Sequence, residues 1–210
     1  MNKIIHGVVI VFLFVASAQA KDSEVSAIKD SFNRYSQAVM AYNGTEAAKY
    51  ISQNTLATYD RYRRLALSGS KEQIRKEPLS DQINILSVRH KISQKELQAM
   101  NGAGLFAYII DHQWTKKGAV QVQSLGKIKM EDGKVMAPIL VEGKDYGLRM
   151  TFLNEDGGWK VDLPALTEIA TQGLKWAAWK QGVSEEQFVE AAMVKILEKN
   201  LGDGLWKPVM

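Results

Sequence analysis

The stretch Gly147–Leu163, reading GLRMTFLNEDGGWKVDL, consists of two alternating strands joined by an acidic, glycine-rich turn. Side chains on a strand alternate between faces. Leu148, Met150 and Phe152 therefore share one face, as do Trp159, Val161 and Leu163. A lone hairpin with one apolar face is not stable in water; it needs more strands and a covering layer. The first half of the chain reads as helix and supplies that layer. Helices first and an antiparallel sheet after them specify an α+β domain, with N-terminal helices packed on a curved meander.

The remaining strands lie just upstream. Ala119–Met130 alternates, with a break near Ser124–Gly126 that reads as a bulge. Asp132-Gly133 signals a tight hairpin. Val135, Ala137, Ile139 and Val141 share a face of the next strand. Pro138 has no N–H to give and requires an edge or bulged position there. Together these make a meander of about four strands, antiparallel because the loops are too short for crossovers.

The helices carry their own signals. Val25, Ile28, Phe32, Tyr35, Val39 and Tyr42 fall on one face of the first helix, which Asn43-Gly44 ends. Thr45 caps a short helix, and a third runs from Gln53 to Leu67. Ser80 caps a helix to Lys91. Ser93–Glu96 forms a capping box, in which hydroxyl and carboxylate satisfy open backbone N–H groups. That helix ends at Asn101-Gly102, and Leu105–Trp114 is a further helical piece. After the sheet, Pro164 opens a helix whose inward stripe is Leu166, Ile169, Gly173 and Trp176. Ser184–Gln187 is a second capping box, for a helix through Leu201.

The N-terminus indicates a compartment. Lys3, the apolar run Ile4–Val15 and the small-x-small site Ala18-Gln19-Ala20 make residues 1–20 a signal peptide. The run is too short to span a bilayer, which takes about 20 residues, so no stable membrane span is expected. Cleavage near Ala20 leaves a periplasmic or secreted chain. Residues 21–163 form the helix-plus-sheet domain, and 164–210 a C-terminal helical pair packed on the same domain. Cysteine is absent, which excludes disulfides, thiol catalysis and thiolate metal sites. The chain holds 27 basic and 23 acidic residues, a formal charge of +4. So mild an excess permits anionic partners without demanding them. With an export signal and no recognisable binding motif, nucleic acid is not an expected partner.

A long amphipathic first helix, short second and third helices, and a meander ending in Gly158-Trp159-Lys160-Val161-Asp162-Leu163 resemble the nuclear transport factor 2-like superfamily. The resemblance covers roughly Ser23–Leu163. It implies a cystatin-like α+β cone, in which a curved sheet wraps the helices around a pocket. Leu79–Trp114 and the C-terminal helices are additions to that pattern.

Polar tips within apolar helical faces beside such a pocket mark the ligand candidates: Tyr35, Tyr59, His90, His112 and Trp114. The matching function is an exported binding protein that holds a small apolar or amphipathic ligand, or a partner protein of the envelope. Two alternatives stand beside it. One is an isomerase- or dehydratase-like enzyme, since ketosteroid isomerases belong to the superfamily, with Asp162 or His112 as base. Arg149, Thr151 and Lys160 would share the face of Asp162. The other is an inhibitor or immunity-type module that uses a basic helix face of Arg61, Arg63, Arg64 and Arg75. Lys71 and Lys76 add to that segment, and only Asp60 and Glu72 oppose it. Two histidines without a spaced third ligand make no metal set, and no cofactor motif is present. No catalytic residue is assigned.

Overall fold

Side chains that satisfy open helix ends place most of the boundaries in the computed structural model, which describes residues 5–114, 123–131 and 134–208. Helices α1 (Ile5–Met40), α2 (Gly44–Ala48), α3 (Gln53–Ser68), α4 (Lys71–Arg75), α5 (Leu79–Lys91), α6 (Gln94–Ala99) and α7 (Gly102–Asp111) precede the sheet. Strands β1 (Gln123–Leu125), β2 (Lys129–Glu131), β3 (Lys134–Val141), β4 (Lys144–Glu155) and β5 (Gly158–Asp162) follow. Helices α8 (Pro164–Lys180) and α9 (Glu185–Leu197) and a 3₁₀ turn (Gly202–Trp206) complete the chain. Capping boxes at Ser93–Glu96 and Ser184–Gln187 form as the sequence implies, and a third forms at Ser70–Gln73.

The sheet is a curled antiparallel half-barrel. Its order is β1–β3–β4–β5, with β2 also on β3. β1 pairs with 139–141 and β2 with 134–136, so the two are halves of one interrupted strand. The meander thus has four strand positions. The interruption faces Pro138. There the β3–β4 register shifts, and the Gly126 N–H donates to the Pro138 carbonyl at 2.9 Å. The missing proline N–H falls where the ladder is already broken. The turn expected at Asp132-Gly133 lies outside the described residues. The last hairpin, β4–β5, turns on Asp156 and Gly157, at φ 52 and 75, the left-handed pair that matches strand twist.

The expected strand parity holds. Val135, Ala137, Ile139, Met150, Phe152 and Val161 are buried in one cluster with Ile28, Phe32 and Val39 of α1 and Phe106 and Ile110 of α7. The outer edge of β5 is covered. Ile51 bridges Val161 in parallel, with the Val161 N–H donating to the Tyr50 carbonyl at 2.7 Å.

A second core lies among helices alone. It joins Tyr62 and Ala66 of α3, Ile85, Leu86 and Val88 of α5, Leu105 of α7, Val189 and Met193 of α9, and Leu205 and Trp206 of the 3₁₀ turn. Helix α7 separates the two cores and sits very close to its neighbours. A Cβ at Gly44 would overlap the Ala107 backbone, and one at Gly102 would overlap the Leu56 carbonyl. These glycines are needed for close approach rather than for a turn.

Several sequence expectations are corrected, among them the end of α9, which stops at Leu197 and not Leu201. Asn43, not Thr45, caps α2: its side chain accepts from the Glu46 N–H at 3.0 Å. Asn101-Gly102 opens α7 instead of ending α6, and the helix stops at Asp111, short of Trp114. Ser80 is not a cap; its hydroxyl meets Thr171 of α8 at 2.7 Å. The inward stripe of α8 is Thr167, Thr171, Leu174 and Ala178, while Ile169 and Trp176 are 41% and 58% exposed. Polarity misled the reading of α8. Thr171 is buried with its hydroxyl satisfied by Ser80.

Candidate functional site

Most of the residues singled out in the sequence are engaged in structure. Tyr35 and Tyr59 pack against the sheet-side core, Tyr59 edge-on to Phe106 at 5.2 Å between ring centres. Burial pushes the Tyr59 phenol up to about 12, and the Tyr35 phenol higher still. Both stay neutral at any working pH. Trp114 packs on the other core, with the Lys91 ammonium 5.2 Å from its ring centre. His112 is exposed. Its ring stacks on Tyr108 at 3.7 Å, and Nδ1–H donates to the Tyr108 carbonyl at 2.8 Å. The five candidates are therefore divided between two cores and the surface, and they do not line one pocket.

Asp162 is buried and does not join a solvated row with Arg149, Thr151 and Lys160. It accepts from the Ser52 hydroxyl at 2.5 Å and the Asn54 amide at 3.0 Å, at the N-terminus of α3. An anion there is favoured by the helix dipole. Its geometry is that of a clasp between β5 and α3. Arg149 pairs with Asp145, and Lys160 donates to the Lys49 carbonyl.

The basic segment is largely neutralised in place. Arg61 pairs with Asp81 at 2.8 Å and Glu77 at 3.4 Å. Arg63 and Arg64 both pair with Asp60. Arg75 and Lys71 both pair with Glu186 of α9. The Asp60 pairs lie within α3 and the others join separate segments; together they do not leave a bare cationic face.

His90 is half-buried, and its Nε2–H donates to the Leu205 carbonyl at 2.8 Å. The adjacent Arg89 is fully buried and donates to four carbonyls: Leu65, Ala66 and Gly69 at the end of α3, and Trp206. No carboxylate shares that site. The negative end of the α3 dipole faces the guanidinium instead. Burial lowers the Arg89 pKa to about 10, so it stays charged at neutral pH. Trp206 also donates to the Glu190 carboxylate at 3.1 Å. These contacts fasten the C-terminal turn to α5 and α9.

Burial is the main cause that lowers the His90 pKa, with Arg89 and Lys199 adding to it. The folded state therefore binds this proton less readily than the unfolded chain. Stability from His90 is complete above the unfolded value of about 6.5 and is lost as pH falls from there toward the folded value. The expected result is a drop in urea midpoint below that pH that is shallower in H90Q. Parallel curves for the two proteins would remove His90 as the cause.

A larger concavity lies elsewhere. α8 rests on α5 through Ser80, whose hydroxyl also donates to the Thr167 carbonyl at 3.1 Å. α9 rests on α5 through Val189 and Met193, with the Ser87 hydroxyl 3.8 Å from the Met193 sulfur. Gly182, at φ 68, turns the chain between α8 and α9. The three helices leave a groove of about 640 Å3 between them. Ile83, Leu166, Leu174, Phe188 and Ile196 line it, and Ala170, Ala191 and Ala192 keep it open. Ser80, Asn84, Thr167 and Gln181 supply neutral polar groups, and Lys195 is the one charged lining residue. A largely apolar cleft of roughly 300–1,000 Å3 with a few polar groups is the usual form of a small-molecule site.

A second groove, of about 540 Å3, runs along the other flank of α8. It is lined by Arg61, Asp81, Glu168 and Lys175, among others. Its charges already answer one another through the Arg61–Asp81 pair, and Lys175 pairs with Glu185 at 3.3 Å. The apolar groove is therefore the better ligand site.

The chain matches no family model, no curated protein and no solved structure. No helix among the described residues is long and apolar enough to cross a membrane.

Proposed function

We propose that this protein is an exported binding protein of the cell envelope that holds a small apolar or amphipathic ligand in the groove between α5, α8 and α9. The groove itself carries the reading: about 640 Å3 of mainly aliphatic lining left open by alanines. Export rests on the composition of residues 1–20. The likeness to the nuclear transport factor 2-like superfamily fits the helix-and-sheet half. A pocket on the core face of that sheet does not fit, because Phe32, Phe106 and Phe152 fill it. Of the two bases an enzymatic reading would use, Asp162 is held by Ser52 and Asn54, and His112 is exposed and does not line the groove.

Titration of the mature chain with the neutral apolar fluorophore N-phenyl-1-naphthylamine tests the reading. The expected result is a saturable, one-to-one rise in emission, competed by unlabelled medium-chain amphiphiles. A rise linear in probe, with no competition, would contradict it.

A further inference from the structure

We propose that the groove takes a single-chain amphiphile with an anionic head group, held at Lys195 with its alkyl chain laid along α9 toward Phe188. This rests on the groove being the ligand site. Its charge pattern sets the class. No acidic residue lines the groove, and Lys195 is its single charge. Among the described residues Lys195 makes no ion pair or hydrogen bond. The comparable cations on nearby helices are engaged: Lys175 with Glu185, and Lys71 and Arg75 with Glu186. A carboxylate or phosphate monoester would meet an unopposed ammonium at Lys195, and a cationic head would be repelled there.

The order of residues along α9 sets the shape. Lys195 lies seven residues beyond Phe188, two turns of helix and about 10 Å along its axis. Ala191 and Ala192 lie between them and put nothing beyond a methyl group in the path. A straight chain starting at Lys195 crosses this small-residue floor and reaches Phe188, with Leu174 lining the groove from α8. A groove of about 640 Å3 has room for one chain of medium length and is of the size that one small ligand occupies.

The experiment compares dodecanoate, dodecanol and dodecyltrimethylammonium, each below its micelle concentration, as competitors of the same neutral fluorophore. Dodecanoate is expected to bind about tenfold more tightly than dodecanol, as one charge-assisted contact allows, and the ammonium more weakly than either. In K195Q the dodecanoate advantage should vanish while dodecanol affinity stays the same. In K195E the order of the two ions should invert. Equal affinities for the three amphiphiles in the unmodified protein, or an anion preference that survives K195Q, would overturn the head-group assignment and leave the groove reading in place. Failure of all three to compete would remove both.

Discussion

Replacing Arg89 by methionine is expected to cost the fold about 3–5 kcal/mol, read as a fall in urea midpoint at unchanged slope. Methionine fills much the same apolar volume, so packing is not the main loss. Four backbone carbonyls lose their donor at once, and three of them close the C-terminal end of α3. Leu65 keeps the Gly69 N–H at 2.9 Å, but the contacts at Ala66, Gly69 and Trp206 are buried, where an unmet acceptor costs about 1–3 kcal/mol. Exchanging a buried ion pair for apolar residues can be neutral because both charges leave together. Here the acceptors are main chain and cannot be exchanged. R89K is expected to recover only part of the loss, since an ammonium lacks the planar fork that reaches several carbonyls. A midpoint for R89M within error of the unmodified protein would show that water replaces the guanidinium without penalty.

Substituting tryptophan for Ala192 is expected to lower the affinity for the neutral fluorophore by more than about tenfold while stability changes by no more than about 0.5 kcal/mol. Ala192 is half-buried and lines the groove between Phe188 and Ile196. An indole there occupies the space that the small side chain leaves open, and α9 can present it without moving its buried residues, Val189 and Met193. Q172W is the control. Gln172 is exposed and lines the polar groove on the other flank of α8, so it should leave fluorophore binding intact. The reverse pattern, with Q172W blocking and A192W not, would move the site to the polar groove.

Much of the fold was legible because its signals are local. Ser93–Glu96 and Ser184–Gln187 satisfy backbone groups within one turn, and the Asp156-Gly157 turn supplies its own left-handed geometry. The apolar parity of Met150, Phe152 and Val161 needs only the period of a strand. The misplaced face of α8 has a non-local cause. Thr171 is buried because Ser80, far off in sequence, offers it a hydrogen bond, and Trp176 is displaced outward as a result.

The site was less legible for the same reason. Attention to polar tips selected Tyr35, Tyr59, His90, His112 and Trp114, and most of these satisfy their polar atoms locally or within a core. The groove is made of what is missing: alanines at 170, 191 and 192 on two helices that lean on a third. The Ala191-Ala192 pair, one turn past Phe188 and three residues before a lone lysine, was the available signal. Arg89 also announced itself weakly, as an arginine between Val88 and His90 in a helix apolar on more than one face.

Native mass spectrometry of the protein purified from the cells that make it, beside A192W prepared in the same way, tests the groove most directly. The expected spectrum of the unmodified protein includes a species one small molecule heavier than the mature chain, stripped at higher collision energy and absent from A192W. An unmodified protein that is always empty, or an adduct retained undiminished by A192W, would contradict a ligand in the groove between α5, α8 and α9.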